Sequence, residues 1–455
     1  MDHKTWIRDH FEEEVAALQG LLRIKSVEAL GEDGTPFGRG AQDCLDYVLR
    51  LGAEMGFRPT DLDGRCGWLD YGEGEELVVV LGHLDVVPEG TGWTHDPYGA
   101  EIADGRIYAR GAIDDKGPMM AALYALKSLA ATGEKLGRRV RILFGLNEET
   151  GCACMKHYVE SGQELPALGF TPDGDFPIIH CEKGIFSAHY ALDLPADGKL
   201  VSFSGGTALN MVPAGAEALL DGALYDAAAA LAAELPHITV DQADGQTRVA
   251  AQGRSAHGSK PELGLNAISR LADFLKELPL APQEQAAMAS IARLYPRETD
   301  GAALTIGLRD EVSGRMTVNL GTAATDGRTL TLGVNLRVPV TFSEPEFHVP
   351  LTAVMAEAGF RETDSSFTPP LYIPADTPLI RALQEVYAAE TGDEPTLLAI
   401  GGGTYAKTMP NVVAFGPIFP DEPLTEHEPD ECIPLDTLRR CTEIYAAAIQ
   451  KLANA

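Results

Sequence analysis

Apolar residues follow two patterns along the chain, one typical of buried strands and the other typical of helices. Residues 77–81, LVVVL, are an uninterrupted aliphatic run of the kind that forms a buried strand, and residues 139–146 predict a second strand. Between them, residues 118–133 place apolar side chains at helical spacing, with Pro118 in the first turn and Gly133 at the end. The order strand, helix, strand implies a right-handed crossover and a mostly parallel sheet.

The middle of the chain has a different pattern. From about residue 184 to residue 370 the strands alternate apolar and polar residues, as in TLTLGVNLRVPV, and Ala-rich helical segments such as YDAAAALAAEL separate them. Helix and strand segments of the first kind resume near residue 375, with DTPLIRALQEVYAAETG and then VVAFGPIF. Helical spacing also predicts helices at residues 4–23, 41–55 and 434–453.

These patterns together predict an α/β fold, a mostly parallel sheet sandwiched by helices, into which an α+β domain is inserted. The length of 455 residues favours two or more domains over one. We predict that residues 1–183 and 373–455 form one domain and that residues 184–372 form the inserted one.

The charge of the chain excludes some classes of partner. Lys and Arg number 36 and Asp and Glu number 67, so the formal net charge is −31. Such an acidic surface repels phosphate backbones and anionic lipids, so we expect neither nucleic-acid binding nor membrane binding. No apolar run approaches the roughly 20 residues that span a bilayer.

Cysteine usage and the N-terminal segment indicate the compartment. The seven cysteines include no CxxC pair, which excludes a zinc ribbon or a thioredoxin motif. We expect all seven to be reduced and mostly buried. The first residues, MDHKTWIRDHFEEEVAAL, lack the basic start and apolar core of a signal peptide, so we expect a cytoplasmic protein.

Polar residues cluster where the predicted strands end, which is where ligands bind in open parallel sheets. The clusters are His83 with Asp85 in GHLDVVP, Asp114 with Asp115 in RGAIDDKGP, Glu148 with Glu149 in NEETG, Asp173 in TPDGDFP, and His427 in PLTEHEPDE. Gathered acids repel one another, and burying them unpaired costs several kcal/mol each. One or two divalent cations would remove that cost.

Each cluster also has an ordinary explanation when it is taken alone. A histidine after a strand is often a hydrogen-bonded structural residue, adjacent aspartates often cap a helix, and Glu-Glu before Thr-Gly is often surface. His427 in an acidic loop could be an exposed histidine. The combination, with each cluster at a strand exit or a helix entry, is what favours a metal site.

The segments GHLDVVP, GRIYARGAIDDKGP, FGLNEETG and TPDGDFP resemble those of the dinuclear zinc exopeptidases that include carboxypeptidase G, aminoacylase and succinyl-diaminopimelate desuccinylase. Within that family the chain is most similar to bacterial dipeptidases of the PepV type, through GWTHDPYGAEI, GGTALNMVP, GRSAHGSKPELGLNA and GGGTYAKTMPNVVAFGPIFP. The resemblance spans about residues 10 to 450. It implies a zinc-exopeptidase catalytic domain with an inserted lid domain, and a metal-dependent dipeptidase that acts on small peptides.

The resemblance also implies the ligands of two divalent metal ions. His83, Asp114 and Asp173 would hold one ion, and Asp114, Glu149 and His427 would hold the other, with Asp114 bridging. Nitrogen and carboxylate oxygen ligands suit Zn²⁺, and also Mn²⁺ or Co²⁺. Asp85 would accept the second ring N–H of His83 and so orient it. Members of the family often have a cis peptide bond within the DD motif, here Asp114–Asp115.

Glu148 is the general base that the resemblance implies. It would take a proton from the metal-held water that attacks the scissile carbonyl, and would then protonate the leaving amine. The assignment of Glu148 as base and Glu149 as ligand comes from the family and not from spacing.

The inserted domain would supply residues that contact the substrate. By the same resemblance, His257 stabilises the oxyanion, and Asn210 and Arg337 hold the terminal carboxylate of the substrate. In the loop GGGT, Gly401, Gly402, Gly403 and Thr404 could bring backbone N–H groups close to the substrate. Lys407 stands where relatives have arginine, which leaves its role open.

In PepV-type relatives an enlarged lid provides the oxyanion histidine within one chain, and by that resemblance the long insert implies a catalytically self-sufficient monomer. We also expect domain closure on binding. Two other functions stay open at this point. One is an N-acyl amino acid deacylase or desuccinylase, which uses the same dinuclear site with a different pocket. The other is a non-catalytic peptide-binding protein, which the presence of His83, His427, the acidic ligands and Glu148 disfavours.

Overall fold

The computed structural model describes residues 2–29, 34–325 and 327–455. These residues form two compact units. The first comprises the described residues of Met1–His180, Tyr372–Leu398 and Gly403–Ala455, and the second those of Cys181–Leu371 and Ala399–Gly402.

The α-helices in the described part of the chain are, in chain order, α1 (His3–Asp9), α2 (Phe11–Leu22), α3 (Arg39–Glu54), α4 (Lys116–Thr132), α5 (Ala153–Glu160), α6 (Tyr225–Ala232), α7 (Ala267–Leu275), α8 (Pro282–Leu294), α9 (Glu344–Glu357), α10 (Pro378–Thr391) and α11 (Leu435–Ala453). Short 3₁₀ helices lie at Gly222–Leu224, Pro261–Leu263, Ala302–Leu304 and Tyr405–Thr408.

The strands are β1 (Arg58–Leu62), β2 (Cys66–Tyr71), β3 (Leu77–His83), β4 (Glu101–Ala103), β5 (Arg106–Tyr108), β6 (Arg139–Gly145), β7 (Leu168–Thr171), β8 (Ile178–Glu182), β9 (Gly184–Asp193), β10 (Leu200–Gly205), β11 (Gly215–Asp221), β12 (Ile238–Ala243), β13 (Gln246–Gln252), β14 (Arg309–Asp310), β15 (Gly314–Arg315), β16 (Thr317–Thr325), β17 (Thr329–Val338), β18 (Arg361–Thr368), β19 (Leu371–Tyr372), β20 (Leu397–Ile400), β21 (Val412–Ala414) and β22 (Cys432–Pro434).

The first unit is built on a mixed sheet whose central strands are parallel. Its order runs β1-β2-β6-β3-β7-β21-β8. The four central strands, β6, β3, β7 and β21, pair in parallel, while β1 and β2 on one side and β8 on the other pair antiparallel. Every residue of β3 is buried, as the aliphatic run predicts for a central strand. The helix α4 packs against β3, α11, α1 and α2.

The second unit is built on one antiparallel sheet of eight strands in the order β12-β13-β11-β10-β16-β17-β9-β18. The amphipathic helix α7 packs its buried face on β10, β11, β13 and β16. Buried and partly exposed residues alternate along β9 from Gly184 to Tyr190, which is the pattern of a sheet with one covered face. The predicted fold class, an α/β unit with an α+β insert, is confirmed.

One predicted helix differs from the helices that the structure shows. The helix expected at residues 4–23 is interrupted at His10, where α1 ends and α2 begins. Glu12, Glu13 and Glu14 in the first turn of α2 favour a new helix start there, because acidic side chains stabilise the positive end of the helix dipole. The compact units divide between residues 180 and 181, and residues 399–402 fall in the second unit. The domain division at residues 183/184 and 372/373 stays a prediction.

Candidate metal centre

Three neighbouring strands of the first unit bring the predicted site residues to one edge of the sheet. His83 is the last residue of β3, Glu148 and Glu149 follow β6, and Asp173 follows β7. Because β6, β3 and β7 are adjacent and parallel, their carboxyl ends meet at that edge.

His83 is buried and is bonded on three sides. Its backbone N–H donates to Asp115 Oδ2 at 3.1 Å. Ring atom Nδ1 lies 3.0 Å from the backbone carbonyl oxygen of Asp85 and 3.5 Å from Asp85 Oδ1. The opposite atom, Nε2, is 2.9 Å from Asp114 Oδ1. An acceptor on Nδ1 leaves Nε2 as the metal-binding nitrogen, although the nearer acceptor is the main chain of Asp85 and not its carboxylate.

The carboxylate of Asp114 lies between two imidazoles. Its Oδ1 is 2.9 Å from His83 Nε2, and its Oδ2 is 3.0 Å from His427 Nε2. The peptide bond Asp114–Asp115 is cis, as predicted. One oxygen directed to each histidine is the arrangement required of a carboxylate that bridges two cations.

Glu149 completes this cluster. Its Oε1 lies 3.1 Å from His427 Nε2. One ligand atom from each of His83, Asp114 and Glu149 falls within 4.8 Å of the others, which makes this group a candidate metal site. The structure therefore links four of the five predicted ligands by direct contacts, and the fifth, Asp173, acts on the site through its charge.

Asp85 connects His83 to the loop that follows β6. Its Oδ2 accepts a hydrogen bond from the backbone N–H of Glu149 at 3.1 Å. Its Oδ1 is buried and has no hydrogen-bond partner within the described residues. This side chain thus contacts two ligand-bearing segments at once.

Burial raises the pKa of Glu148 well above its usual value, and the negative charges of Asp173 and Glu149 act in the same direction. Asp115 is buried too, and its pKa is raised by burial and by the charge of Asp173. A carboxyl group that holds its proton more tightly is suited to accept one during a reaction near neutral pH.

The histidine contacts have the opposite effect on Asp114. Although burial opposes ionisation, hydrogen bonds from His427 and His83 hold the pKa of Asp114 below its usual range. Hydrogen bonds to Asp114 and Glu149 raise the pKa of His427 to about 11. The acids thus draw positive charge onto the imidazoles, and a divalent cation held by the same nitrogen and oxygen atoms would supply that charge.

Arg110 and Glu431 are two buried residues of this site that sequence reasoning missed. Arg110 Nη1 donates to Glu431 Oε2 at 2.7 Å, and Arg110 Nη2 lies 3.3 Å from the carbonyl oxygen of His427. Glu431 also accepts from the backbone N–H groups of Gly111 and Ile113, each at 3.0 Å, and of Asp114 at 3.3 Å.

This ion pair joins the loop that contains Asp114 to the loop that contains His427. Burial and the charge of Asp114 raise the pKa of Glu431 to about 7, whereas the N–H donors and Arg110 favour its ionised form. Arg110 lies in the segment RGAIDDKGP and Glu431 in the segment PLTEHEPDE, so a search for the acid that balances Arg110 could have found the pair.

The predicted substrate-contacting residues lie largely in the second unit. Nδ1 of His257 is 2.7 Å from Ser259 Oγ, and the backbone carbonyl of Asn210 accepts from the N–H of Gly258 at 2.6 Å. Arg337, on β17, is buried and donates from Nη1 to the carbonyl oxygen of Gly401 at 2.7 Å.

The glycine loop falls at the limit between the units. Gly401 and Gly402 belong to the second unit, and Gly403 and Thr404 belong to the first. Oγ1 of Thr404 accepts the backbone N–H of Ala406 at 3.1 Å, which caps the short helix that follows. The side chain of Lys407 lies over Gly403, where an added Cβ would be 3.2 Å from Nζ.

The chain is similar to known proteins in sequence and in structure. The family model described as "Peptidase family M20/M25/M40" matches residues 79–451. A Bacillus subtilis protein named "Putative dipeptidase YtjP" is 40% identical over 449 residues, which are 96% of each chain. A Staphylococcus haemolyticus protein named "Putative dipeptidase SH1171" is 34% identical over 458 residues, again 96% of each chain.

Solved structures share the fold at low sequence identity. Human carnosine dipeptidase 1 superposes with a TM-score of 0.60 at 16% identity, covering 100% of this chain and 98% of its own. The di-peptidase Dug1p of Saccharomyces cerevisiae has a TM-score of 0.60 at 12% identity, covering 100% of both chains. None of the described helices combines the length and hydrophobicity needed to cross a bilayer.

Proposed function

The chain belongs to peptidase family M20/M25/M40 and is a metallopeptidase, and from that premise we propose that it hydrolyses the peptide bond of dipeptides at a centre of two divalent cations. The observation on which this proposal rests most directly is Asp114, whose two carboxylate oxygens face two different imidazoles. The names of the relatives, which describe dipeptidases, support the substrate class.

The residues present fit two ions of the zinc type, with Mn²⁺ or Co²⁺ as chemically acceptable substitutes. His83, Asp114 and Asp173 would hold one ion, and Asp114, Glu149 and His427 the other. Several carboxylate oxygens of the site are buried, and one of them, Asp85 Oδ1, has no hydrogen-bond partner among the described residues. Bound cations would supply the positive charge that these buried oxygens lack. When bound, the ions would acidify a water molecule and polarise the peptide carbonyl.

Glu148 performs the proton transfers in this proposal. Its carboxylate accepts a proton from the attacking water and then donates it to the nitrogen of the leaving amine. A raised pKa, caused by burial and by Asp173, suits a group that must hold that proton between the two steps. Asp85 orients His83 and, through the N–H of Glu149, the loop from which Glu148 projects.

Residues of the second unit bind the substrate in this proposal. His257 donates to the oxyanion, and Asn210 and Arg337 hold the terminal carboxylate, with the main chain at Gly402, Gly403 and Thr404 as further contacts. The buried guanidinium of Arg337 supports an anionic ligand, because it stays charged near neutral pH although burial lowers its pKa to about 10, and a buried cation is stabilised by an anion.

We further propose that the chain acts as a monomer in the cytoplasm, with residues 1–183 and 373–455 in one domain and residues 184–372 in an inserted domain. The division at residues 183/184 and 372/373 lies close to the limits of the compact units, which supports the assignment of an inserted domain. All seven cysteines are free, which is compatible with a reducing compartment.

The decisive experiment is Glu148→Gln in the zinc-loaded or manganese-loaded protein. Loss of the general base should lower kcat for dipeptides by about 10²–10⁴-fold, while the metal content stays at two ions per chain. Hydrolysis by amine release and metal content by elemental analysis are measured on the same samples. The matched control is Glu160→Gln, an exposed glutamate at the end of α5, which should keep the wild-type rate.

A substrate panel accompanies this variant and distinguishes the reaction class. Dipeptides, tripeptides, N-acetyl amino acids and N-succinyl amino acids are compared at equal concentration. A preference for acylated amino acids over dipeptides would indicate a deacylase instead. Normal dipeptide turnover by Glu148→Gln would contradict the mechanism whatever the substrate preference.

A further inference from the structure

Arg337 is a buried cation whose hydrogen-bond partners, Asn335 and Gly401, are neutral. The residue is 4% exposed. Its Nε donates to Asn335 Oδ1 at 3.0 Å and its Nη1 donates to Gly401 O at 2.7 Å. Within the described residues, no ion pair joins Arg337 to an acidic side chain. A buried charge is costly unless it is paired, so the position of this guanidinium must be held by groups that do not neutralise it.

Asn335 is the side chain that fixes the direction of the guanidinium. It lies two residues before Arg337 on β17, so both side chains project from the same face of the sheet. While its Oδ1 accepts from Arg337 Nε, its Nδ2 donates to Ser187 Oγ at 3.0 Å on the neighbouring strand β9. Asn335 is itself only 2% exposed, so water cannot easily replace these bonds.

Asn319 lies directly opposite Asn335 in the register of β16 and β17. Its Nδ2 donates to the carbonyl oxygens of Leu209 and Met211, each at 2.8 Å, and these two residues flank Asn210. Asn319 is 2% exposed, and its Oδ1 is buried with no partner among the described residues. A buried amide that leaves its acceptor unsatisfied is explained if its two donated bonds are needed.

The turn that contains Asn210 is also packed closely on β16. An added Cβ at Gly321 would lie 2.4 Å from the carbonyl oxygen of Leu209, so glycine is required for this approach. From the same turn, the carbonyl of Asn210 accepts the N–H of Gly258, beside His257. Asn319 therefore holds the turn that contains Asn210 directly, and through that turn it holds the segment that contains His257.

We propose that the cross-strand pair Asn319 and Asn335 positions Asn210 and Arg337 as one carboxylate-binding arrangement, and that this pair sets the preference for substrates with a free terminal carboxylate. The inference rests on the proposed dipeptidase function. Neither asparagine contacts the substrate; Asn335 acts through the guanidinium, and Asn319 acts through the turn at residues 209–211.

The test compares a dipeptide with its C-terminal amide in the metal-loaded protein. The wild type should prefer the free carboxylate in kcat/KM. Asn335→Ala should raise KM for the dipeptide and reduce that preference by about tenfold or more, as expected for a lost hydrogen bond to a charged group. Asn319→Ala should also reduce the preference for the free carboxylate. A purely structural defect would lower kcat/KM for the dipeptide and for its amide by the same factor, and the ratio of the two values would stay unchanged.

Two further variants keep the test decisive if an alanine variant does not fold. Ser187→Ala removes only the second bond of Asn335 and should reduce the preference by a smaller factor. Thr331→Val, exposed on β17 and bonded to the carbonyl of Ala324, is the matched control and should keep the wild-type ratio.

The outcomes separate the inference from the function on which it rests. A wild type that does not hydrolyse dipeptides overturns the proposed function. A wild type that hydrolyses dipeptides but treats the amide equally leaves that function standing and overturns the inference. A wild type that discriminates, together with Asn335→Ala, Asn319→Ala and Ser187→Ala variants that fold and discriminate equally well, overturns the positioning pair.

Discussion

At the scale of single residues, the proposed metal ligands contact buried residues that are not themselves proposed as ligands. Asp85 contacts His83 on one side and the backbone N–H of Glu149 on the other, so a single carboxylate relates ligands from β3 and from the loop after β6. Such outer partners set ring orientation and ligand basicity, and their loss typically lowers metal affinity or activity by about 10–100-fold.

Glu431 is not a proposed ligand, but we expect it to affect metal affinity. Its two oxygens hold Arg110 and three backbone N–H groups of the segment 111–114, which ends at Asp114. We expect Glu431→Gln to lower zinc affinity by about 10–100-fold, because an amide can accept these bonds at only one of its two atoms. Titration calorimetry of the metal-free protein measures this.

Glu428→Gln provides the control for that measurement. Glu428 is exposed in the same loop, three residues from Glu431. Its replacement by glutamine removes the same charge from the same region. It should leave zinc affinity within about twofold of the wild type, since exposed charges interact weakly through solvent. Equal losses in both variants would show that the effect is general electrostatics, and the role of the buried pair would then be wrong.

At the scale of elements, the helices that cover the sheet of the first unit enclose a carboxyl group of their own. Glu14 on α2 is 1% exposed and accepts a hydrogen bond from Thr442 Oγ1 of α11 at 2.6 Å. The negative charge of ionised Glu14 would add to the effect of burial in raising the pKa of Tyr124 in α4 and of Cys441 in α11. Burial raises the pKa of Glu14 well above its ordinary value of 4.5, against the smaller opposite effect of Thr442.

This buried acid predicts that stability falls as pH rises. A group whose pKa is higher in the folded state stabilises the fold below its unfolded pKa, and that contribution is lost as pH rises toward the folded pKa. Each pH unit in that window costs up to about 1.4 kcal/mol. Glu14→Gln does not titrate, so its melting temperature should exceed that of the wild type at pH 8, and the difference should shrink toward pH 5.

Thermal melts of both proteins across pH 5–8 measure the effect, with Glu12→Gln as control. Glu12 is exposed on the same helix and should give a difference that does not vary with pH. A Glu14→Gln difference that is the same at pH 5 and pH 8 would mean that Glu14 is already ionised in the fold, which would contradict the burial argument.

The elements that the sequence predicts well are those with local signals. The aliphatic run before His83 predicts β3, and Pro118 with Gly133 predicts α4 closely, since each signal lies within the element itself. The pairing of Arg110 with Glu431 spans 321 positions, and no local pattern encodes it. The antiparallel edges of the first sheet and the break at His10 likewise depend on tertiary packing, which overrides propensity.

At the scale of the whole molecule, the two units contribute different chemistry. The first gathers acids and histidines at the carboxyl edge of parallel strands. The second holds a buried guanidinium among neutral groups. A net charge of −31 adds a general repulsion that cations relieve. Metal should therefore stabilise the first unit specifically, beyond any general effect of ionic strength.

Chelation of the metal tests this division of the molecule. A ligand present at about a hundredfold its Kd stabilises the native state by ~2.7 kcal/mol, so EDTA should lower the melting temperature by an amount that zinc restores. Hydrogen exchange should accelerate at the amides of Gly111, Ile113 and Glu149, whose acceptors Glu431 and Asp85 lie beside the ligands. Amides of β16 and β17 in the second unit should keep their exchange rates.

EDTA already saturated with zinc is the control and should change neither the melting temperature nor the exchange rates. Equal acceleration in both units, or no change in melting temperature, would mean that the acids at the sheet edge are stable without a cation, and the charge argument for the metal centre would be wrong.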